Sequence, residues 1–567
     1  MCSMRLIAIL PVVLISIALA ACAANPEAPV VNLSAGTLVG ELEGATRVFK
    51  GIPFAAPPVG NLRWREPKPV THWTGPRDAT KPGSPCMQAS AGVDTFIAPL
   101  AAAYGMPFAM ESSNPSEDCL YLNVFSPATP SSKRLPVMVW LHGGSNRAGK
   151  GSGDGYDGSS LASHGVIVVT TNYRLGVMGF FSHPGLTAES PHHSSGNYGL
   201  LDQIACLRWV QENIGQFGGD PGNVTLFGES AGSIDATTLM ASPLAKGLFR
   251  RVIAESGPAF GLGPALTLSE AHAVGIAVGR AAVAQFPRQA DVLDILRRMP
   301  AKQVAELDAS TVARFKTFDP NASVVDGWVL PKSPASAFAV GSIQKVDLLA
   351  GFNGRELSAF RVGAAAAAKQ SSRPAQKDDA SSAAVKKLAD AANPLYGAWT
   401  DIAVAMYLAQ ILVHGDVAVD RASNDMLVAC PVGAEAALAT SFGSRAYIYR
   451  FDRSIPGKGE QELGAFHGIE LPYVFDTFAS RSWRWLPITS TDHKLSELIQ
   501  AYWTNFAKSG DPNGGVLPTW KAWNSDEEPY LEFSHGGSAL PQQNFSPPFC
   551  HLASDRLRKK LAGGDGR

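Results

Sequence analysis

The chain has 567 residues, of which 46% are apolar and 17% charged, with 55 Gly and 40 Pro, a composition that excludes wholesale disorder and collagen-like repetition. Its 48 Lys plus Arg nearly balance 49 Asp plus Glu, for a net charge of -1, so no global field draws it toward nucleic acid or anionic lipid. Length alone would admit about two to four domains.

The N-terminus reads as a targeting segment, residues 1–21. Arg5 is followed by the apolar run LIAILPVVLISIALAA, which has the form of a secretory core and is short for a membrane span of about 20 residues. Leu19-Ala20-Ala21-Cys22 resembles a bacterial lipobox, in which Cys22 is diacylated and becomes the first mature residue. Ordinary cleavage after an Ala-x-Ala site is the competing reading. On the lipobox reading, residues 22–33 are a tether, and contact with a membrane is limited to the anchor.

A single domain is expected over residues 34–555, because no repeat period or linker interrupts it. Leu135–Leu141, Val166–Thr171, Val224–Phe227, Asp347–Gly351 and Arg445–Phe451 are apolar runs without clean alternation, as in strands buried on both faces. Helical stripes fall at Leu201–Ile214 and Thr491–Ala507. Strands alternating with helices predict an α/β fold with a mostly parallel central sheet and helices on both faces. Residues 363–392 are low in complexity and poor in large apolar groups, which predicts a mobile surface insertion. Residues 556–567 are expected to be a flexible tail.

Cysteines stand at 2, 22, 86, 119, 206, 430 and 550. Removing Cys2 and Cys22 with the targeting segment leaves five, so at least one is unpaired. Cys206 lies on the helical stripe and is expected to be a buried thiol, which leaves Cys86, Cys119, Cys430 and Cys550 for two bridges. There is no C-x-x-C pair and no cysteine or histidine at zinc-finger distance, so no metal site is expected.

The chemical signal is Gly228-Glu229-Ser230-Ala231-Gly232. In a chain with this much glycine and serine, G-x-S-x-G arises about 0.5 times by chance, so context must decide. Here it follows a strand and precedes a helical stretch, the setting of a nucleophile elbow with Ser230 at its tip. A serine hydroxyl needs a base, and the base needs an orienting carboxylate. In α/β-hydrolases these follow in the order Ser, acid, His.

His467, in the loop Gly464-Ala465-Phe466-His467-Gly468, and Glu356, beyond the strand ending near Gly351, fit that order at strand C-ends. His414, His493, His535 and His551 compete for the base, and Asp326, Asp347 and Asp401 for the acid. His142-Gly143-Gly144-Ser145 fits an oxyanion loop whose N–H groups act with that of Ala231. Ser145 stands where a third Gly is usual. A phosphate-binding loop is disfavoured, since neither G-K-[ST] nor G-x-G-x-x-G occurs.

These stretches resemble the type-B carboxylesterase family, which includes the cholinesterases. Further matching segments are Phe49-Lys50-Gly51-Ile52-Pro53-Phe54, Ser116-Glu117-Asp118-Cys119-Leu120-Tyr121-Leu122-Asn123, Gly196-Asn197-Tyr198-Gly199-Leu200-Leu201-Asp202-Gln203, Phe217-Gly218-Gly219-Asp220-Pro221 and Phe466-His467-Gly468-Ile469-Glu470. The resemblance implies an α/β-hydrolase fold, a Ser230, Glu356 and His467 triad, and bridges Cys86 to Cys119 and Cys430 to Cys550. It also implies a structural ion pair of Arg63 with Glu117, small-molecule ester substrates and no cofactor.

Two departures bear on substrate. Ala109 occupies the place of the Trp with which cholinesterases hold a quaternary ammonium, so choline esters are poor candidates. Ser233-Ile234-Asp235 replaces the small residues usual after the elbow, which implies an altered acyl pocket. The expectation is an exported or lipid-anchored serine carboxylesterase. A carbamate or amide hydrolase, or a non-catalytic adhesion member of the fold, are the alternatives.

Overall fold

The computed structural model describes residues 28–88, 92–110, 113–260, 265–284, 291–312, 321–370, 385–386, 389–390, 393, 396–397, 400–547 and 549–551. The targeting segment, Cys22 and the tail 556–567 lie outside them.

Among the described residues, eleven strands make the central sheet. They are β1 (Glu41–Glu43), β2 (Thr46–Pro53), β3 (Tyr121–Pro127), β4 (Leu135–Leu141), β5 (Ile167–Thr171), β6 (Gly219–Glu229), β7 (Arg251–Glu255), β8 (Asp347–Asn353), β9 (Ala446–Phe451), β10 (Tyr530–Phe533) and β11 (Ala539–Gln542). Their spatial order is β11-β10-β9-β8-β7-β6-β4-β5-β3-β2-β1. The run from β5 to β10 is parallel, and β1, β2, β3 and β11 are added antiparallel at the two edges.

The central strands lack alternation because both faces are covered. On β4, Val137, Val139 and Leu141 enter one core cluster, where Leu200, Ile204 and Leu207 of α2 (Tyr198–Asn213) pack with Leu239 of α3 (Ala231–Met240). Met138 and Trp140 enter the other cluster, with Leu495, Ile499, Tyr502 and Phe506 of α5 (Ser490–Ser509). A helix therefore closes each face of a strand that reads as continuously apolar. Cys206 of α2 is a buried free thiol.

Two stretches differ from expectation. Val30–Leu33, inside the stretch read as a tether, is a strand paired with Gly36–Val39, because Val31 and Leu38 are both buried in the core. The helix α4 (Glu356–Gln370) carries helical structure into the low-complexity stretch as far as Gln370, consistent with the helix propensity of its alanine run.

Disulfides join Cys86 to Cys119 and Cys430 to Cys550, a pairing that oxidising compartments favour. The first closes a loop carrying α1 (Asp94–Ala103) over the C-terminal edge of the sheet. Arg63 donates to both oxygens of Glu117 at 2.6 Å and to the carbonyls of Leu296 and Met299, so it ties that loop to a distant turn. Among the described residues no helix is long and apolar enough to cross a membrane.

Candidate active site

Ser230 occupies the turn between β6 and α3 with φ 55° and ψ -122°, a left-handed conformation that costs a side-chain-bearing residue free energy. Close packing enforces the turn: a Cβ on Gly232 would stand 2.0 Å from the carbonyl oxygen of Leu141. The Ser230 N–H donates to Glu255 O at 2.9 Å, so the elbow is pinned to the next strand.

Glu356 opens α4, directly beyond β8, and is 1% exposed. Its Oε1 accepts from the Asn353 N–H at 2.6 Å. Its Oε2 lies 2.6 Å from His467 Nδ1. That bond places the imidazole proton on Nδ1 and frees Nε2 to act as a base. Ser230 and His467 line one cavity of about 240 Å³. Among the described residues Ser230 Oγ has no hydrogen bond to the imidazole; Nε2 instead faces Glu229 Oε1 at 3.0 Å. Phe96 of α1 and Phe360 of α4 pack against the ring, with centroids 6.3 Å and 5.0 Å from it.

Apart from Glu356, the carboxylates around this imidazole were not foreseen from the sequence. Glu229, Glu255, Glu356 and Glu470 are all buried. Ser256 Oγ donates to Glu470 Oε1 at 3.2 Å, and Asn353 Nδ2 donates to Glu470 Oε2. Trp503 Nε1 donates to Glu255 at 2.7 Å. Glu229 and Glu470 each stood inside a quoted motif, beside Ser230 and three residues after His467, but nothing in their spacing tells that both turn toward one ring.

Burial alone would depress the His467 pKa. The charge of Glu229, and then that of Glu356, outweigh it and hold the imidazole above its ordinary value. Burial also pushes Glu229 up, opposed by His467 and reinforced by Glu356. Since a neutral Nε2 is required of a base, the acid limb of kcat/KM is expected to have its midpoint above the ordinary imidazole value of about 6.5. Removing an adjacent opposite charge lowers the pKa of a cation, so Glu229→Gln is expected to move that midpoint down by about 1 to 3 units. A pH–rate profile of both proteins checks this, and an unmoved limb would exclude the carboxylate as the cause.

The loop after β4 supplies the remaining part. Gly144 has φ 105°, and Ser145 and Asn146 have φ 56° and 54°, so the loop keeps its left-handed course without a third glycine. Among the described residues, the N–H groups of Gly143, Gly144, Ser145 and Ala231 donate to no protein acceptor, the condition for donors that receive an oxyanion. His142 is buried, stacked on Tyr173 at 4.4 Å and pushed down to about 4 by burial, so it stays neutral and structural.

The competing residues stand elsewhere. His535 meets Ser454 at 2.8 Å, His493 lies 3.9 Å from Asp476, and Asp347 pairs with Arg445. Asp326 accepts from the Trp328 and Leu330 backbone. His414 ends the helix Thr400–His414, whose first turn holds Asp401, and His551 lies 3.9 Å from Glu528.

A sequence profile described as the carboxylesterase family matches residues 27–548. The chain is 36% identical over 488 residues to a fumonisin B1 esterase of Sphingopyxis macrogoltabida, covering 84% of this chain and 82% of that protein. It is 34% identical to a human cocaine esterase, covering 90% and 88%. Among solved structures, a carboxylesterase of Geobacillus stearothermophilus superposes with a TM-score of 0.76 at 31% identity, covering 92% of this chain and 99% of that one. A PNB esterase gives 0.74 at 32% identity, covering 94% and 99%. With a nucleophile elbow at the end of β6, a parallel sheet under it and matches along almost the whole length, the chain belongs to the carboxylesterase family, with the α/β-hydrolase fold, and is a carboxylic ester hydrolase.

Proposed function

We propose that this protein hydrolyses carboxylic esters of small molecules through an acyl-Ser230 intermediate. The observation that carries the reading is the 2.6 Å contact of His467 Nδ1 with Glu356 in the cavity that also holds a strained Ser230. His467 Nε2 takes the Ser230 proton as Oγ bonds to the substrate carbonyl carbon, and the carbonyl oxygen becomes an oxyanion among the N–H groups of Gly143, Gly144, Ser145 and Ala231. When the bond to the alcohol oxygen breaks, His467 returns the proton to that oxygen. Water, deprotonated by the same nitrogen, then releases the acid and restores Ser230. Glu356 keeps the proton on Nδ1 throughout.

Incubation with a fluorophosphonate tests the assignment: one phosphonyl group should be found on the Ser230 peptide by mass spectrometry. A protein that hydrolyses esters yet is modified elsewhere, or not at all, would sink it.

Choline esters fit poorly. Ala109 is exposed, and the neighbouring Phe108 ring is covered by the Arg481 guanidinium at 5.3 Å, which repels a second cation. Export to the periplasm on a lipid anchor at Cys22 is part of the same proposal, supported by the lipobox-like residues and the two disulfides. Growth with labelled palmitate should label the wild type and not Cys22→Ala; equal labelling of both would refute the anchor.

A further inference from the structure

One side of the cavity beside Ser230 is polar. Asp235 of α3 lines it and is 1% exposed. Its Oδ2 accepts from Gln203 Nε2 at 2.6 Å and its Oδ1 from Asn146 Nδ2 at 3.2 Å. Both donors are neutral amides, and burial pushes the carboxyl up to about 6 against their pull. An ionised carboxylate has room for about four donors, so Asp235 is under-supplied.

The second observation concerns Asn146, which lines the same cavity and follows Ser145 in the oxyanion loop. With Nδ2 donating to Asp235, its Oδ1 is left buried and, among the described residues, without a hydrogen-bond partner. A buried acceptor in that state is costly unless something completes it. Asn321, the neighbouring lining amide, is engaged by the Arg147 guanidinium. Asn146 Oδ1 and the Asp235 carboxylate therefore present acceptors to whatever lies along α3.

The mechanism assigns that space. The leaving alcohol must stand at His467 Nε2 to receive its proton, on the side of Phe96 and Phe360. The acyl group stays on Ser230, and Ala231, Ile234 and Asp235 of the helix that begins beside it line the same cavity as Asn146, which follows the oxyanion donors.

We propose that Asn146 and Asp235 form an acyl-side subsite that takes a hydrogen bond from the substrate and selects acyl groups bearing a hydroxyl near the scissile carbonyl over alkyl groups of equal size. The proposal rests on the acyl-Ser230 reading and names its substrate class. A carboxylate in the acyl chain would meet Asp235 as a like charge and is disfavoured by the same geometry.

The test compares p-nitrophenyl 3-hydroxybutyrate with its isostere p-nitrophenyl 3-methylbutyrate at pH 8. The wild type should favour the hydroxy ester by about tenfold or more in kcat/KM, as a site built to pair a hydroxyl rejects the analogue without one. Asn146→Ala and Asp235→Asn should each bring the ratio close to one. Both esters are read on the same preparation, so loss of folded protein cancels from the ratio.

A wild-type ratio near one, or a ratio unchanged in both variants, would overturn the subsite while leaving ester hydrolysis intact. Hydrolysis of neither ester, with no phosphonate on Ser230, would instead bring down the acyl-serine reading and the subsite with it. A 3-aminobutyrate ester preferred tenfold over the hydroxy ester would overturn the hydroxyl assignment in favour of an ammonium.

Discussion

Ser230→Ala is expected to lower kcat on a p-nitrophenyl ester by about 10⁵ to 10⁶, with His467→Ala in the same background lowering it no further, because nucleophile and base act as one unit. The variant should remain folded. Alanine at φ 55° meets the same backbone strain as serine, and Ser230 Oγ makes no hydrogen bond to His467 among the described residues, so little native bonding is lost. The melting temperature is expected to stay within about 2 °C of wild type, since a surface-like deletion of this kind costs about 0.5 kcal/mol or less. The oxyanion donors of residues 143–145 survive the change, so turnover above the uncatalysed rate should persist at about 10³-fold. Activity within tenfold of wild type in a folded Ser230→Ala protein would remove the nucleophile from the proposal.

The parts of this site that were legible in the sequence are those enforced by backbone geometry. The elbow needs small residues two positions either side of Ser230, as the clash a Cβ on Gly232 would make with Leu141 O demonstrates. Leu135–Leu141 could be read as a strand buried on both faces because every side chain from Val137 onward meets a core cluster. The edge formed by β10 and β11 gave a weaker pattern. Tyr530–Phe533 and Ala539–Gln542 are four residues each, too short for a period to register.

Long-range electrostatics was invisible for another reason. Glu229 and Glu470 meet at His467 only after β6 and the loop beyond β9 are brought side by side, and neither helix nor strand periodicity encodes that meeting. Asn146 and Asp235 stand between these cases. Ser233-Ile234-Asp235 could be marked as unusual after an elbow, whereas the donor that meets Asp235 comes from Asn146 in the oxyanion loop, 89 positions away in the chain, which no local pattern encodes.

Glu356→Gln is the second large effect, an expected fall in kcat of about 10⁴ with the fold retained. The local bonds say why an isosteric change should be so damaging. One oxygen of Glu356 accepts from the Asn353 N–H at 2.6 Å, and only the carbonyl oxygen of a glutamine can take that place. Its NH₂ group is then turned to His467 Nδ1, where the carboxylate stood at 2.6 Å. Two donors cannot face each other, so Nδ1 must become the acceptor and the ring proton must move to Nε2. The nitrogen facing the nucleophile is then unable to accept its proton. Raising the pH cannot restore it, since the neutral ring is already present in the wrong tautomer, and the pH–rate profile of the variant should be low without a recovering limb near the imidazole range. Glu356→Asp keeps an acceptor and should retain more activity than the glutamine. If Glu356→Gln lay within tenfold of wild type, the orienting role would pass to Glu229 or Glu470, and the 2.6 Å contact would be a structural ion pair.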